Sequence, residues 1–424
     1  MIVIADDLTG ANDTGVQFVK QGKPTIVHLT SFIESLTETE KVNVINTDSR
    51  SLSPDEAYKR NRELAKKMKG DQQPFIYKKV DSTLRGNIGQ EIDGLMDELS
   101  FSFCAVVPAY PQNGRLTIGG YHLVHGTLLE DSELANDVKF PMTESFIPDL
   151  LAGQTKRSVG LIGVKTLRRG KLAEEVDALL ARGVEVIVFD SAIDADLKTV
   201  TDFLKTQEKV LWVGSAGLAQ AFTSEQAQKL TSDAEEQVEK PLPTLTVAGS
   251  VSTVTRKQIA FQKEKGAFVQ AIHPLHLLKN DQEVLNTWFD EAKRIIGNKK
   301  DLVITTVFTP EVAVELEAYI AEAGIDKLEL GNQIASTLGA FASRLIKEVK
   351  VSGLILTGGD IAYQTCLKLD IHALEVMKEI EEGIPLSKVV GGPYADTAIV
   401  TKAGAFGQES SLHHAMDIIK NTHI

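Results

Sequence analysis

Short apolar runs alternate with amphipathic stretches along the chain, and no other feature restricts its fold as strongly. In the first half, six such runs are predicted to be buried strands: 42–46, 75–80, 104–109, 159–164, 184–190 and 210–215. Helical patterns lie between most of them, such as PDEAYKRNRELAKKM at 54–68. Strands that alternate with helices form mostly parallel sheets whose faces are covered by helices. The alternation therefore predicts an α/β fold.

The chain also divides near its middle. Residues 223–240 read TSEQAQKLTSDAEEQVEK, a polar helix end and linker of the kind that separates domains. Four more predicted strands follow, at 244–250, 302–307, 353–360 and 398–404. The length of 424 residues is enough for two cores. We expect two α/β domains with mostly parallel sheets, at 1–230 and 243–424, and a ligand cleft between them.

Composition argues against several classes of partner. The formal net charge of −13 gives no general attraction to nucleic acid or anionic membrane, so an anionic substrate would need a local basic pocket. The only two cysteines, Cys104 and Cys366, suit a reducing compartment. No apolar run reaches the roughly 18 residues of a membrane span. A strand predicted from Met1 leaves no room for a signal peptide. We expect a cytoplasmic protein with no nucleic-acid or membrane partner.

Carboxylates follow the first predicted strand directly. The strand Met1–Ile4 runs into Asp6 and Asp7, and Asp13 lies a short distance further on. In open α/β sheets, ligands bind beyond the carboxyl ends of the strands, which makes these aspartates candidate site residues. The alternative is structural: one aspartate caps the following helix and the other is solvated.

Two further strands of the first domain also end in polar residues. NTDSRSL at 46–52 offers Asp48, Ser49 and Arg50, while FIYKKVDSTLRGNIGQEI at 75–92 offers lysines, hydroxyls and Arg85. Ammonium, guanidinium and hydroxyl groups near a helix amino terminus suit a small carboxylate or a phosphate. Three polar strand ends on one side of a parallel sheet predict one site. Solvated charged turns are the alternative.

The segment VVPAYPQNGRLTIGGYHLVHG at 106–126 is rich in turn formers and long for a loop. Loops of this length are often functional, which makes Arg115, His122 and His125 candidate ligands. The two histidines have a spacing that could suit a metal, but no third ligand lies nearby in the sequence. A lone histidine is more often structural.

The second domain contains three glycine-rich strand ends. GLILTGGD at 353–360, TVAGSVSTVTRKQI at 246–259 and VTKAGAFG at 400–407 each place small residues after a strand. Backbone amides at such turns bind phosphate. Three of them in one domain indicate a nucleotide site, although neither a Walker A pattern nor G-x-G-x-x-G is present.

Six segments together resemble the four-carbon acid sugar kinase family. They are ADDLTGANDTG (5–15), KKVDSTLRGNIG (78–89), GSAGLA (214–219), AGSVS (248–252), LTGGDIA (356–362) and VTKAGAFG (400–407). The resemblance implies an amino-terminal domain for a sugar acid and a carboxyl-terminal domain for ATP. It also implies phosphorylation of the 4-hydroxyl of a tetronate such as D-threonate, D-erythronate or a 3-oxo-tetronate. The stretch GANDTG is more similar to the D-threonate and D-erythronate branch of the family than to the 3-oxo-tetronate branch.

The resemblance also implies site residues. Asp6 and Asp7 are the candidate catalytic residues. The substrate-binding candidates are Asp13, Arg50, Lys79, Asp81, Ser82, Thr83, Leu84 and Arg85. The nucleotide-binding candidates are Ser250, Ser252, Gly358, Gly359, Asp360, Ile361 and Gly404. Two positions depart from the family pattern: Ile361 replaces a hydroxyl residue, and Ala405 replaces a glycine.

The expected chemistry is phosphoryl transfer from ATP with Mg²⁺. Asp6 or Asp7 would take the hydroxyl proton, basic residues would bind the substrate carboxylate and the transferring phosphoryl group, and Asp360 would lie near the metal. One rival is a sugar-acid binding or sensor protein without turnover. Another is an NAD-dependent dehydrogenase or a lyase of hydroxy acids, but the sequence lacks the dinucleotide-binding fingerprint. The sequence is compatible with a homodimer. It does not identify the metal ligands or decide between the tetronates.

Overall fold

The structure is a computed structural model that describes residues 1–30, 40–70, 74–136, 140–222, 241–249, 252–404 and 406–422. The chain splits into two compact units, with the division between residues 228 and 229. The helix end and linker expected at 223–240 lie outside the described residues. None of the helices that the structure describes is both long and apolar enough to cross a membrane.

The amino-terminal unit alternates strands and helices. Its strands are β1 (Ile2–Ala5), β2 (Thr25–His28), β3 (Val42–Asn46), β4 (Ile76–Lys79), β5 (Phe103–Val107), β6 (Arg115–Ile118), β7 (Tyr121–Val124), β8 (Thr127–Leu128), β9 (Val159–Ile162), β10 (Val186–Phe189) and β11 (Val210–Gly214). Its helices are α1 (Leu8–Val19), α2 (Pro54–Met68), α3 (Ile88–Met96), α4 (Ile147–Ala152), α5 (Val164–Arg168), α6 (Leu172–Ala181), α7 (Asp194–Leu204) and α8 (Ala216–Ala221).

Eight of these strands form a parallel sheet in the order β2-β3-β1-β4-β11-β5-β10-β9. Strand β1 lies between β3 and β4, and its last residue, Ala5, pairs with Asn46 on one side and Lys79 on the other. The three strands therefore end level with one another. This register brings the polar residues after β1, β3 and β4 to one edge of the sheet, as the sequence predicts.

The segment expected to be a long loop at 106–126 is instead largely β-structure. Strands β6, β7 and β8 form a small antiparallel sheet, with Ile118 opposite Tyr121 across a two-glycine turn. Gly119 and Gly120 both have positive φ, which suits a tight hairpin turn. The interpretation as a loop was therefore wrong.

The carboxyl-terminal unit has the same alternation. Its strands are β12 (Thr244–Ala248), β13 (Phe268–Ile272), β14 (Leu302–Thr306), β15 (Gly353–Thr357), β16 (Ala373–Glu381), β17 (Ile384–Val389) and β18 (Ala398–Lys402). Its helices are α9 (Thr253–Glu264), α10 (Pro274–Leu278), α11 (Gln282–Gly297), α12 (Pro310–Ala323), α13 (Lys327–Glu348), α14 (Gly359–Lys368) and α15 (Ser411–Asn421).

Within this unit the strand order is β13-β14-β12-β15-β18-β17-β16. The first five strands are parallel, and β17 and β16 continue the sheet in antiparallel pairings. The strands β12, β15 and β18 are buried along their whole length and adjacent, so the residues that follow them share one edge. The predicted α/β class with mostly parallel sheets is confirmed in both units.

Candidate functional site

The end of β1 carries two carboxylates that share one guanidinium. Arg50 Nε and Nη2 donate to the two oxygens of Asp6 at 2.6 and 2.9 Å. Nη1 and Nη2 donate to the two oxygens of Asp7, both at 2.8 Å. Four of the five N–H groups of Arg50 are thereby engaged, which leaves one on Nη1. The guanidinium fixes both carboxylates in one geometry and neutralises part of their charge.

Asp7 is also the residue that caps α1. Its Oδ1 accepts a hydrogen bond of 2.8 Å from the backbone N–H of Gly10, so the capping interpretation is correct for this residue. Asp6 is not solvated, because its side chain is only 3% exposed, against 22% for Asp7. Oδ2 of Asp7 accepts one bond from Arg50 and keeps a second lone pair. Asp7 can therefore accept a further hydrogen bond from a ligand.

The two aspartates differ in acidity. Burial would raise the pKa of Asp6, but the charge of Arg50 and its hydrogen bond, with help from Lys78 and Lys79, lower it below the ordinary value. The pKa of Asp7 is raised, first by burial and then by the charge of Asp6, in spite of Arg50. Like charges that share a site separate in this way. Asp6 is thus the stable anion and Asp7 the better proton acceptor.

Gly10 leaves room for the groups around it. A Cβ atom built on Gly10 would lie 2.6 Å from Asp7 Oδ1 and 3.1 Å from Lys79 Nζ. The ammonium of Lys79 therefore lies close to the carboxylate of Asp7. The same ammonium donates to the carbonyl of Val80 at 2.8 Å. The first turn of α1 is therefore packed against Asp7, which follows β1, and against Lys79 of β4.

Replacing Gly10 with alanine is expected to lower kcat/KM by at least about tenfold, because Asp7 must move and small misplacements of reacting groups cost rate. Thermal stability should stay near that of the parent, because the helix gains about 1 kcal/mol when alanine replaces glycine. Steady-state kinetics and a thermal melt measure both. Gly297→Ala is the control, since a Cβ there meets nothing within 4 Å. Equal activity of the two variants would contradict the prediction.

A second buried network lies next to Asp6. Lys78 Nζ is 2.7 Å from Glu91 Oε2, with side-chain exposures of 0% and 1%. The other carboxylate oxygen of Glu91 accepts from Ser49 Oγ, and Ser49 Oγ lies 2.7 Å from Thr47 Oγ1. Burial raises the pKa of Glu91 against the lowering effect of Lys78. The network joins α3, β4 and the turn after β3.

Glu91 is the part of this network that the sequence interpretation missed. A signal was present, because Glu91 lies at helical spacing from Ile88 and Leu95 and so falls on the apolar face of α3. A carboxylate on a buried helix face needs a partner, and Lys78 supplies it.

The turn after β4 is held by its own ion pair. Arg85 Nε donates to Asp81 Oδ2 at 2.6 Å, and Thr83 Oγ1 donates to the same carboxylate. Arg85 and Arg50 keep the pKa of Asp81 well below its ordinary value in spite of burial. Leu84 is buried with a φ of +62°, a conformation rare for leucine. The side chain of Leu84 therefore belongs to the core, while Arg85 is the half-exposed cation of this turn.

The histidines of the β6–β8 sheet do not converge on a metal. His122 is fully buried, and its Nε2 contacts the carbonyl of Ser82 at 2.8 Å. Burial lowers the pKa of His122 to about 4 in spite of this contact. His125 contacts Arg115 instead. Asp13 lies within α1, where its charge adds to burial in raising the pKa of Tyr77. Across the described ranges, no three His, Cys, Asp or Glu side chains are grouped so as to hold a metal ion.

In the other unit, the turn after β15 is built around Gly358. Its φ of +101° is a value that glycine adopts readily and other residues adopt rarely. Its N–H donates to the carbonyl of Lys402 at 2.9 Å. Helix α14 starts at Gly359, and Asp360 is exposed in its first turn. Ile361 points into the core, where it occupies the space that a side chain at position 249 would need. Ile361 can therefore offer only its backbone to a ligand.

Strands β12 and β18 bring two further candidates to this edge. Ser252 caps α9 by accepting from the N–H of Val254 at 3.2 Å. One turn into α9, Thr255 Oγ1 donates to the carbonyl of Gly404 at 2.8 Å. Helix α9, which Ser252 caps, is thus bonded to the turn after β18 through Thr255. Ser250 lies outside the described residues.

Comparisons with known proteins agree with these two units. A family model described as a sugar-binding N-terminal domain matches residues 1–222, and one described as a nucleotide-binding C-terminal domain matches residues 245–412. A D-threonate kinase of Salmonella typhimurium is 33% identical and covers 99% of this chain and 98% of its own. A D-erythronate kinase of Heliobacterium modesticaldum is 31% identical, with coverages of 99% and 97%.

A 3-oxo-tetronate kinase of Haemophilus influenzae is 28% identical, with coverages of 97% and 98%. Among solved structures, a Salmonella typhimurium protein superposes with a TM-score of 0.78 at 25% identity and covers 98% of each chain. A Haemophilus influenzae protein gives 0.73 at 23% identity, with coverages of 99% and 100%. The match therefore extends over both units in sequence and in fold.

Proposed function

The chain belongs to the four-carbon acid sugar kinase family, and from this premise we propose that it transfers the γ-phosphoryl group of ATP to the 4-hydroxyl of D-threonate. D-Threonate is favoured because the relative with that name is 33% identical, and because GANDTG is similar to the D-threonate and D-erythronate branch. D-Erythronate is the second candidate, and 3-oxo-tetronate is the third.

The observation that carries the proposal is the pair of carboxylates held by Arg50 at the edge of the sheet. A kinase that phosphorylates a hydroxyl of a sugar acid needs a group that takes the hydroxyl proton and a fixed position for the reacting oxygen. We assign the proton acceptor to Asp7, since it is the more exposed of the pair, its pKa is raised, and Oδ2 retains a lone pair. Asp6 holds Arg50 in place.

The substrate carboxylate would bind to the cations of the same edge. Lys79 lies beside Asp7, and Arg85 is half-exposed at the turn after β4. Ser82 and Thr83 of that turn are candidates for the hydroxyls of the acid. This arrangement offers an anionic substrate two cationic side chains at the edge of the sheet, in a chain whose net charge is −13.

ATP would bind at the turns after β12, β15 and β18, through the backbone N–H groups of Gly359 and Gly404 and the hydroxyl of Ser252, while Gly358 gives the turn after β15 its shape. Mg²⁺ would neutralise charge on the phosphates. It takes few protein ligands in kinases because phosphates and water supply the rest. Asp360 fits this demand, since it is exposed at the amino terminus of α14.

A panel of acids tests the proposal. ADP release should be measured with D- and L-threonate, D- and L-erythronate and 3-oxo-tetronate, and phosphorus NMR should locate the phosphate on carbon 4 of the product. We expect kcat/KM for D-threonate to exceed that for every other acid by about tenfold or more. A higher value for D-erythronate or 3-oxo-tetronate would reassign the substrate. No ADP release with any acid would reject the proposal.

We also propose a cytoplasmic location. The support is chemical: Cys104 and Cys366 are both free thiols and both buried, as a reducing compartment allows. Burial raises the pKa of the Cys366 thiol to about 12, so this thiol is unreactive.

A further inference from the structure

Lys402 is a buried lysine that the proposed function leaves without a role. It is the last residue of β18, and the residue is 1% exposed. Its Nζ lies 2.9 Å from the carbonyl oxygen of Ala403, 3.1 Å from that of Gly404 and 3.2 Å from that of Phe406. Thr255 Oγ1 is a fourth neighbour at 3.3 Å. The side chain folds back and holds the turn that follows its own strand.

Among the described residues, this ammonium has no counter-ion. None of the described carboxylates forms an ion pair with Lys402, and the groups that face it are all neutral: the hydroxyl of Thr255 on α9 and the three carbonyls of the turn. An uncompensated buried charge is costly, so such groups are usually paired. A ligand that brings negative charge to this turn would remove the cost.

In this turn, the direction of each carbonyl fixes the direction of the N–H group in the same peptide unit. In a trans peptide the C=O and N–H bonds point in opposite directions, and the described residues contain no cis bond. Because the carbonyl of Ala403 points at Lys402, the N–H of Gly404 points away from it. Within the described residues that N–H donates to no protein group. It is therefore an open donor in the turn that we assign to ATP.

We propose that Lys402 is a positioning residue for the nucleotide: its ammonium holds the carbonyls of the turn inward, so that the Gly404 amide faces the phosphates of ATP. The proposal rests on the proposed function, since it takes ATP as the ligand of this edge. Thr255 supports the same geometry from α9, because its hydroxyl donates to the carbonyl of Gly404. Together the two side chains shape the turn from behind.

The charge of Lys402 should be needed as well as its shape. Burial lowers its pKa to about 8, so the amine is mostly protonated at pH 7 and mostly neutral at pH 9. The negative charge of the ATP phosphates does not decrease over this range, so it cannot account for weaker binding. We expect the affinity of the parent protein for ATP to fall between pH 7 and pH 9, and that of Lys402→Met to stay level.

The test is calorimetric titration of the full chain with ATP, together with the Michaelis constants of both substrates. Lys402→Met keeps an unbranched apolar stem and removes the ammonium. It should raise the Kd and the KM for ATP by about tenfold or more, while the KM for the sugar acid stays within about twofold. Thr365→Val is the control, because that threonine is buried in the same unit and its hydroxyl has no partner in the described residues.

Each outcome is decisive. An unchanged Kd for ATP in Lys402→Met, or equal rises in both Michaelis constants, would overturn the inference. If that variant does not fold, Thr255→Val replaces it, and it should weaken ATP binding by about threefold or more; an unchanged Kd there would overturn the inference as well. Failure of the parent chain to bind ATP would reject the nucleotide assignment itself, which is a separate result.

Discussion

Replacing Asp7 with asparagine is expected to lower kcat by about 10²- to 10⁴-fold, which is the usual contribution of a general base. Asparagine keeps the size of the side chain and one acceptor oxygen, but its amide cannot take a proton at neutral pH. It also caps helices about as well as aspartate, so α1 should persist. Steady-state kinetics with a thermal melt would show lost turnover at a nearly unchanged melting temperature.

The pH dependence follows from the same assignment. The pKa of Asp7 is raised above its ordinary value, mainly by burial and by the charge of Asp6. A base works only when deprotonated, so the activity of the parent should fall as the pH drops through this raised pKa. The pH profile of kcat/KM measures this acid limb, and it should be absent from the residual activity of Asp7→Asn.

Asp6→Asn is the matched comparison. It removes one negative charge from the same guanidinium but leaves Asp7 able to take a proton. We expect a smaller loss of kcat than for Asp7→Asn, with the acid limb shifted to lower pH because the repulsion from Asp6 is gone. The reverse ranking would make Asp6 the base. Near-parental turnover in both variants would exclude both residues and turn attention to Asp13 or Asp81.

The second large effect is expected for stability. Lys78→Met removes one partner of a fully buried ion pair and leaves the Glu91 carboxylate unpaired beside Asp6. Breaking a buried pair in this way typically costs about 3–5 kcal/mol of unfolding free energy. Urea denaturation at pH 7 would measure the loss as a lower transition midpoint with an unchanged slope.

The pH dependence of this variant has a definite sign. Without Lys78, the pKa of Glu91 in the folded state should rise further, so the folded state binds a proton that the unfolded state releases. Between the unfolded and folded pKa values, stability then falls as the pH rises, and the variant should recover part of its loss in mild acid. The double variant Lys78→Met with Glu91→Gln is the control, because it removes the unpaired charge. A double variant as unstable as the single one would contradict this explanation.

The fold and the place of the first site could be predicted because both depend on simple periodic rules. Asp6 and Arg50 follow strands and Lys79 ends one, and parallel strands end at one edge, so their proximity follows from the alternation of strands and helices. The partners within the site could not be predicted. Arg50 is a predicted substrate-binding residue, but its position in the sequence did not reveal that four of its N–H groups bind Asp6 and Asp7.

The remaining differences have physical reasons. Glu91 contacts Lys78 across two elements, and pairings between side chains far apart in sequence leave no periodic trace. The hairpin of β6 and β7 was interpreted as a loop because its segment is rich in turn formers, although a Gly-Gly pair between two strand-like runs also predicts a tight turn. The back-folding of Lys402 depends on backbone carbonyls, which no residue identity reveals.

The shared guanidinium also has a consequence for folding kinetics. Arg50 is 44 residues from Asp6 in sequence, and it reaches both carboxylates only after β3 has paired with β1. Parallel pairings across such separations close large loops and form slowly. Until then Asp6 and Asp7 repel each other at the end of an unpaired strand. We therefore expect catalytic activity in refolding experiments to return only in the last kinetic phase, after helical circular dichroism has recovered, because α1 and α2 can form from local contacts alone.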